Sequence, residues 1–180
     1  MSLPHAILTA LIEKPCSGIE LSGRFDRSIG YYWHATHQQI YRELARLEAL
    51  GWVVSAPVEL SRGRKKEYRV VAAGRKELRR WAGEARDPEP LRNELMIRLR
   101  AEAALGPSDL DTDVERRLAI HQKRLAGFRE IEQRFFSGSN PSRSTAIMHL
   151  ILKKGIMMES MWIDWCVQAL EVLRQEYPPS

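Results

Sequence analysis

Six polar side chains crowd the start of one segment: Thr36, His37, Gln38, Gln39, Tyr41 and Arg42. Further on, Arg62, Arg64, Lys65 and Lys66 surround Gly63. The first group suits the edges of bases in a duplex. A glutamine carboxamide pairs with adenine, a guanidinium with guanine or a phosphate, and a tyrosyl hydroxyl donates to phosphate. The second group is a dense run of cations on a flexible glycine, suited to the sugar–phosphate backbone or a minor groove. His34 and His37 stand three apart with no acidic or thiol partner beside them, so helix capping or a phosphate contact is expected there and no metal site. G-x-S-x-G, P-loop and H-E-x-x-H patterns are absent, and neither an enzyme nor a cofactor is expected.

Those side chains act together only if local structure presents them. Thr36 and Gln39 form a T-x-x-Q capping box, which predicts a helix from there to Leu50, stopped at Gly51. Ile40, Leu44 and Leu47 make its apolar stripe, leaving Gln38, Tyr41, Arg42, Ala45 and Ala49 on the other face. Upstream, Leu3 to Lys14 carries Leu3, Ile7, Leu8, Leu11 and Ile12 at helical spacing, and Pro15 blocks its continuation. Ser17 and Glu20 form a second capping box, opening a helix to about Ser28 that buries Ile19, Leu21 and Phe25 and ends at Gly30. Downstream, Trp52–Val58 and Glu67–Val71 read as two strands of a β-hairpin turning at Gly63, with the cations at its tip. A helix from about Ala73 to Ala85 follows. Three short helices and a basic hairpin in that order describe a winged helix-turn-helix over about residues 1–85.

Beyond the prolines at 88 and 90, the chain reads as helical over about 90–175. Helices are expected over Leu91–Leu105, from a Thr112–Glu115 capping box to about Phe136, and from about Ser142 to Gln175, with Asn140 and Pro141 at the start of the last. The middle helix carries a heptad-like seam of Val114, Leu118, His121, Leu125, Phe128, Ile131 and Phe135. The last carries Ile147, Ile151, Met157, Met158, Met161, Trp162, Trp165 and Leu173. Leu118, Leu125, Phe128, Met158, Met161, Trp162 and Trp165 suit a core, a dimer interface, or the lining of a pocket for a small hydrophobic or aromatic effector. The fold class is therefore mainly α with a small β-hairpin, the winged helix being joined to a helical dimerisation domain.

The charge supports this division. Of 28 basic and 23 acidic residues in the 180-residue chain, 15 and 9 lie before Asp87, so the positive excess sits in the half that would meet a polyanion. No apolar run reaches the ~18 residues of a membrane span. The N-terminus lacks a signal-peptide pattern, and Cys16 and Cys166 are too few for a disulfide framework, so a cytoplasmic location is expected.

Ser17–Leu21, HQQIYRELARLEALGWV and GRKKEYRVVAAGRKEL together resemble the PadR family of transcriptional regulators. Where that family commonly has Tyr-x-Leu-Thr-x-x-Gly, this chain reads Tyr68-Arg69-Val70-Val71-Ala72-Ala73-Gly74, without the threonine. The resemblance implies a homodimer joined by C-terminal helices. Such a dimer would bind a partly palindromic operator in double-stranded DNA, usually as a repressor released by a small effector. The competing reading is a winged-helix module that docks a protein without specific DNA binding.

Overall fold

The computed structural model describes residues 3–27, 29, 33–57, 66–88, 90, 92–138 and 140–175. The chain forms two compact units, Met1–Pro88 and Glu89–Ser180. In the first, α1 (Leu3–Glu13), α2 (Gly18–Arg27) and α3 (His37–Ala49) surround a core that strands β2 (Val53–Pro57) and β3 (Lys66–Val70) close, before α4 (Ala72–Ala82). A two-residue strand, β1 (Cys16–Ser17), pairs with β3, giving a three-stranded antiparallel sheet of order β1-β3-β2. The hairpin expected from the sequence thus gains a third strand.

Local chemistry sets the helix ends. The Ser17 N–H donates to Glu20 Oε2 at 2.9 Å, and the Glu20 N–H returns to Ser17 Oγ at 3.4 Å. α3 ends where Gly51 adopts φ 66°; the Gly51 and Trp52 N–H groups donate to the Glu48 and Leu47 carbonyls, both at 3.0 Å, closing a Schellman motif. Ile7, Leu8 and Leu11 of α1, Leu21 and Phe25 of α2, and Ile40, Leu44 and Leu47 of α3 are all at most 1% exposed. At ~1.5–3 kcal/mol per buried side chain, this cluster is what holds α3 in place. Ile19 departs from expectation and is 74% exposed. At 100° per residue it lies about 200° round the helix from Leu21, so the two cannot share a face.

In the second unit, α5 (Glu94–Leu105), α6 (Leu110–Phe135) and α7 (Arg143–Arg174) follow in order. His121 pairs with Glu159, Glu132 with His149, and Arg174 with both Asp111 and Glu115, so α6 and α7 run antiparallel. Leu95, Leu110, Val114, Cys166 and Leu170 form the core, with Leu118, Trp162 and Trp165 against it. α6 starts two residues before the expected Thr112 cap, because Leu110 is itself drawn into that core at 2% exposure. α7 is capped by Ser142, whose hydroxyl accepts from the Thr145 N–H, and not by Asn140, which takes a left-handed φ of 61°. Phe135, expected in the seam, is 62% exposed. Among the described residues no helix is long and apolar enough to cross a membrane.

Asp113 ties α5 to α6: Arg116, Arg117 and Arg98 contact its carboxylate at 2.6, 3.0 and 2.6 Å. These guanidiniums, Arg116 first, hold its carboxyl well below the usual carboxylate range. The folded-state pKa lies below the unfolded value of ~3.9. The stabilisation is therefore complete above about pH 5 and is lost as pH falls toward the folded value. Asp113→Asn is expected to lower urea stability at pH 7, by an amount that shrinks steadily between about pH 5 and 2. A constant deficit across that range would show that the ion pairs contribute nothing.

Candidate nucleic-acid interface

The stripe Ile40, Leu44 and Leu47 faces inward, so α3 turns its other face to solvent, and Thr36, His37, Gln38, Gln39, Tyr41 and Arg42 are all exposed. Their environments differ. Thr36 and Gln39 are engaged in the cap: the Thr36 N–H donates to Gln39 Oε1 at 2.8 Å, and the Gln39 N–H donates to Thr36 Oγ1 at 3.2 Å. The acceptor of the Gln39 carboxamide is thereby occupied, leaving its two N–H donors to face outward contacts. His37 Nε2 lies 3.0 Å from Asp26 Oδ2, so α2 supplies its partner. Gln38 and Arg42, four apart on one face, form no side-chain hydrogen bond or ion pair with the described residues. Arg46, one turn further, is bound by Glu43 at 2.6 Å.

The first turn of α3 contains no acidic residue, so the positive end of the helix dipole is available to an anion. Ala45 and Ala49 are small and exposed on the same face. Glu48 fixes the base of the helix to β2, accepting from the Ser55 N–H at 3.1 Å and the Ser55 hydroxyl at 2.6 Å. Lys66 opens β3, pairs in register with Pro57 and is exposed. Arg62, Arg64 and Lys65, with Gly63 where the turn is expected, lie outside the described residues. Among the described residues no cluster of His, Cys, Asp and Glu could hold a metal ion.

Tyr41 is placed by a glycine. A Cβ on Gly18 would lie 2.5 Å from Tyr41 Cε1 and 3.0 Å from its hydroxyl oxygen, so only glycine at the start of α2 lets the ring lie there. Gly18→Ala is expected to displace that ring at a small cost in urea unfolding, because the atoms it meets are the far end of an exposed side chain that can swing aside. The cost should vanish in the Tyr41→Ala background, a non-additivity that a double-mutant cycle measures. Equal costs in both backgrounds would mean that the ring does not rest on Gly18.

The residues expected at an interface or pocket in the second unit fall into two sets. Leu125 and Phe128 are buried, and Leu118, Trp162 and Trp165 pack on the core, the two tryptophans edge to face at 5.4 Å. Met158 and Met161 instead point outward, at 43% and 56% exposure, beside Met157 and Leu150 at 71% and 67%. They line an open hollow of about 590 Å³ along α7.

Residues 7–80 match the family described as "Transcriptional regulator PadR-like family", and residues 91–174 match "Virulence activator alpha C-term". The chain is 39% identical to the probable transcriptional regulator Rv1176c of Mycobacterium tuberculosis, over 98% of this chain and all of that one. It belongs to the PadR-like family of transcriptional regulators. The virulence activator AphA of Vibrio cholerae is similar in structure, with TM-score 0.78 and 28% identity over 96% of this chain and 98% of that one. PadR of Bacillus subtilis shares the fold in its complex with operator DNA, with TM-score 0.81 and 24% identity over 96% and 99% of the two chains. In its complex with p-coumaric acid the values are 0.73 and 22%, over 97% and 96%. A winged helix followed by a helical region is thus common to this chain, AphA and PadR.

Three features of the interface were missed in the sequence. Gly18 under Tyr41 joins residues 23 apart, and Glu48–Ser55 bridges a helix and a strand across a turn. The Asp26 partner of His37 lies on the preceding helix. Only the position of Gly18, directly after a capping serine, carried a signal, because side-chain pairing between separate elements leaves no periodicity to read.

Proposed function

We propose that this PadR-like regulator binds a partly palindromic operator as a homodimer, acting as a repressor in the cytoplasm under the control of a small aromatic effector. The carrying observation is the α3 face, on which Gln38 and Arg42 stand exposed and uncommitted on a helix anchored by three fully buried residues. In this reading residues 1–85 are the DNA-binding domain. Gln38, the free N–H donors of Gln39, and Arg42 read bases in the major groove. Thr36, His37, Tyr41 and Lys66, with the wing residues Arg62, Arg64 and Lys65, hold the phosphates. Residues 90–175 are the dimerisation and effector domain. The outward apolar set of Leu150, Met157, Met158 and Met161 supports a second copy as its cover. The complexes of Bacillus subtilis PadR with operator DNA and with p-coumaric acid support both kinds of partner.

Selection of duplexes from a random pool at physiological salt tests this reading. A symmetric sequence is expected to emerge, bound well below the ~10⁻⁴–10⁻⁶ M of non-specific binding. A pool that stays random would leave the winged helix as a protein-docking module.

A further inference from the structure

Ile19 is 74% exposed, and among the described large apolar side chains of the first unit none is more so. Single apolar residues on a surface are ordinary, but neither burial nor propensity favours this one. A β-branched residue is a poorer helix former than alanine or most straight-chain residues. What sets Ile19 apart is its position, because α2 is held against α3 at two points. The bare Gly18 backbone passes under the Tyr41 ring, where a Cβ would come within 2.5 Å of Cε1. At the other end of α2, Asp26 Oδ2 lies 3.0 Å from His37 Nε2. Ile19 and Asp26 are seven residues apart, about 20° short of two full turns, so they share one stripe of the helix. Ile19 thus stands directly beyond the glycine under Tyr41, on the stripe that meets the first turn of α3 at its far end. The Ser17 hydroxyl and N–H donate to Glu20 Oε2 at 2.7 and 2.9 Å, fixing this turn and drawing that carboxylate back onto Ser17.

The base readers assigned to α3 are all hydrogen-bonding groups. Gln38 and Arg42 suit the edges of adenine and guanine, whereas the C5-methyl of thymine forms no hydrogen bond and is recognised by apolar contact. We propose that Ile19 is a specificity-determining residue, which packs on one thymine methyl in the major groove beside the bases that α3 reads. This assignment rests on the proposed function and extends base reading from α3 to the start of α2. Burying one methyl against the isoleucine changes affinity about fourfold. Thymine is therefore expected at one fixed position of each half-site, set there by its methyl group.

The test uses the full chain and the duplex it selects from a random pool. Each thymine of that duplex is replaced in turn by deoxyuridine, which deletes the methyl and leaves every hydrogen-bonding group in place. On the unaltered chain, replacement at one position of a half-site is expected to weaken binding about fourfold. For Ile19→Ala the same replacement should change nothing, while affinity for unrelated duplex stays as it was. Ile19 lies outside the core, so the variant keeps its fold, which its thermal unfolding checks. Three results would each overturn the assignment and leave the proposed function standing. They are no loss at any thymine, a loss that persists undiminished in Ile19→Ala, and equal weakening of selected and unrelated duplex by that variant. A chain that selects no duplex would overturn the proposed function, and this assignment with it.

Discussion

Gly74→Ala is expected to destabilise the N-terminal unit by about 2 kcal/mol. In an exposed helix the same substitution stabilises by ~0.5–1 kcal/mol, since alanine gives up less backbone entropy. Here a Cβ would sit 2.3 Å from the Trp52 carbonyl oxygen and 2.9 Å from Val70 Cγ1. That carbonyl cannot move aside, because it accepts the Val71 N–H at 3.1 Å and so links α4 to the end of the hairpin. Overpacking a rigid contact costs ~1–3 kcal/mol or more, which outweighs the propensity gain. Urea unfolding measures the difference. Unchanged or raised stability would mean that α4 does not lie against Trp52 as described.

Gly74 also shows what a sequence pattern can convey. Its place after the hairpin was legible as part of the family resemblance, but its cause, a backbone carbonyl from a segment 22 residues earlier, was not. The same division holds elsewhere. The Thr36–Gln39 and Ser17–Glu20 boxes were readable because both partners lie within one turn, and the stripe of α3 because its spacing repeats. Thr112-x-x-Glu115 has the composition of a cap yet starts no helix, since burial of Leu110 outweighs about 1 kcal/mol of capping. β1 escaped notice because two residues carry no alternation, and its pairing with β3 at Cys16–Tyr68 is a tertiary contact. The His121–Glu159 and His149–Glu132 bridges span 38 and 17 residues, and α6 and α7 must already be packed before either pair can meet. The Met and Trp set divides for a related reason. Apolar periodicity marks a face to be covered, while the neighbour that covers it (Trp162 in the core, Met161 outside) belongs to tertiary structure.

Replacing Gln38 and Arg42 together with alanine is expected to reduce affinity for the selected operator by about 100-fold or more, at ~1–3 kcal/mol for each base contact. Both side chains are exposed and outside the core, so thermal stability should change little. The pattern of loss matters as much as its size. Base-reading residues carry discrimination, so the double variant should approach its own affinity for unrelated duplex. On the proposed reading Arg64 and Lys65 hold phosphates, so Arg64→Ala with Lys65→Ala should weaken every duplex alike, lowering the salt slope by ~1 per contact. Gln39→Ala gives a third pattern, since its carboxamide oxygen holds the Thr36 N–H. Part of its effect should therefore appear as lost helix stability of about 1 kcal/mol. Equal weakening of selected and unrelated duplex by the Gln38–Arg42 variant would show that α3 holds the backbone and that sequence is read elsewhere.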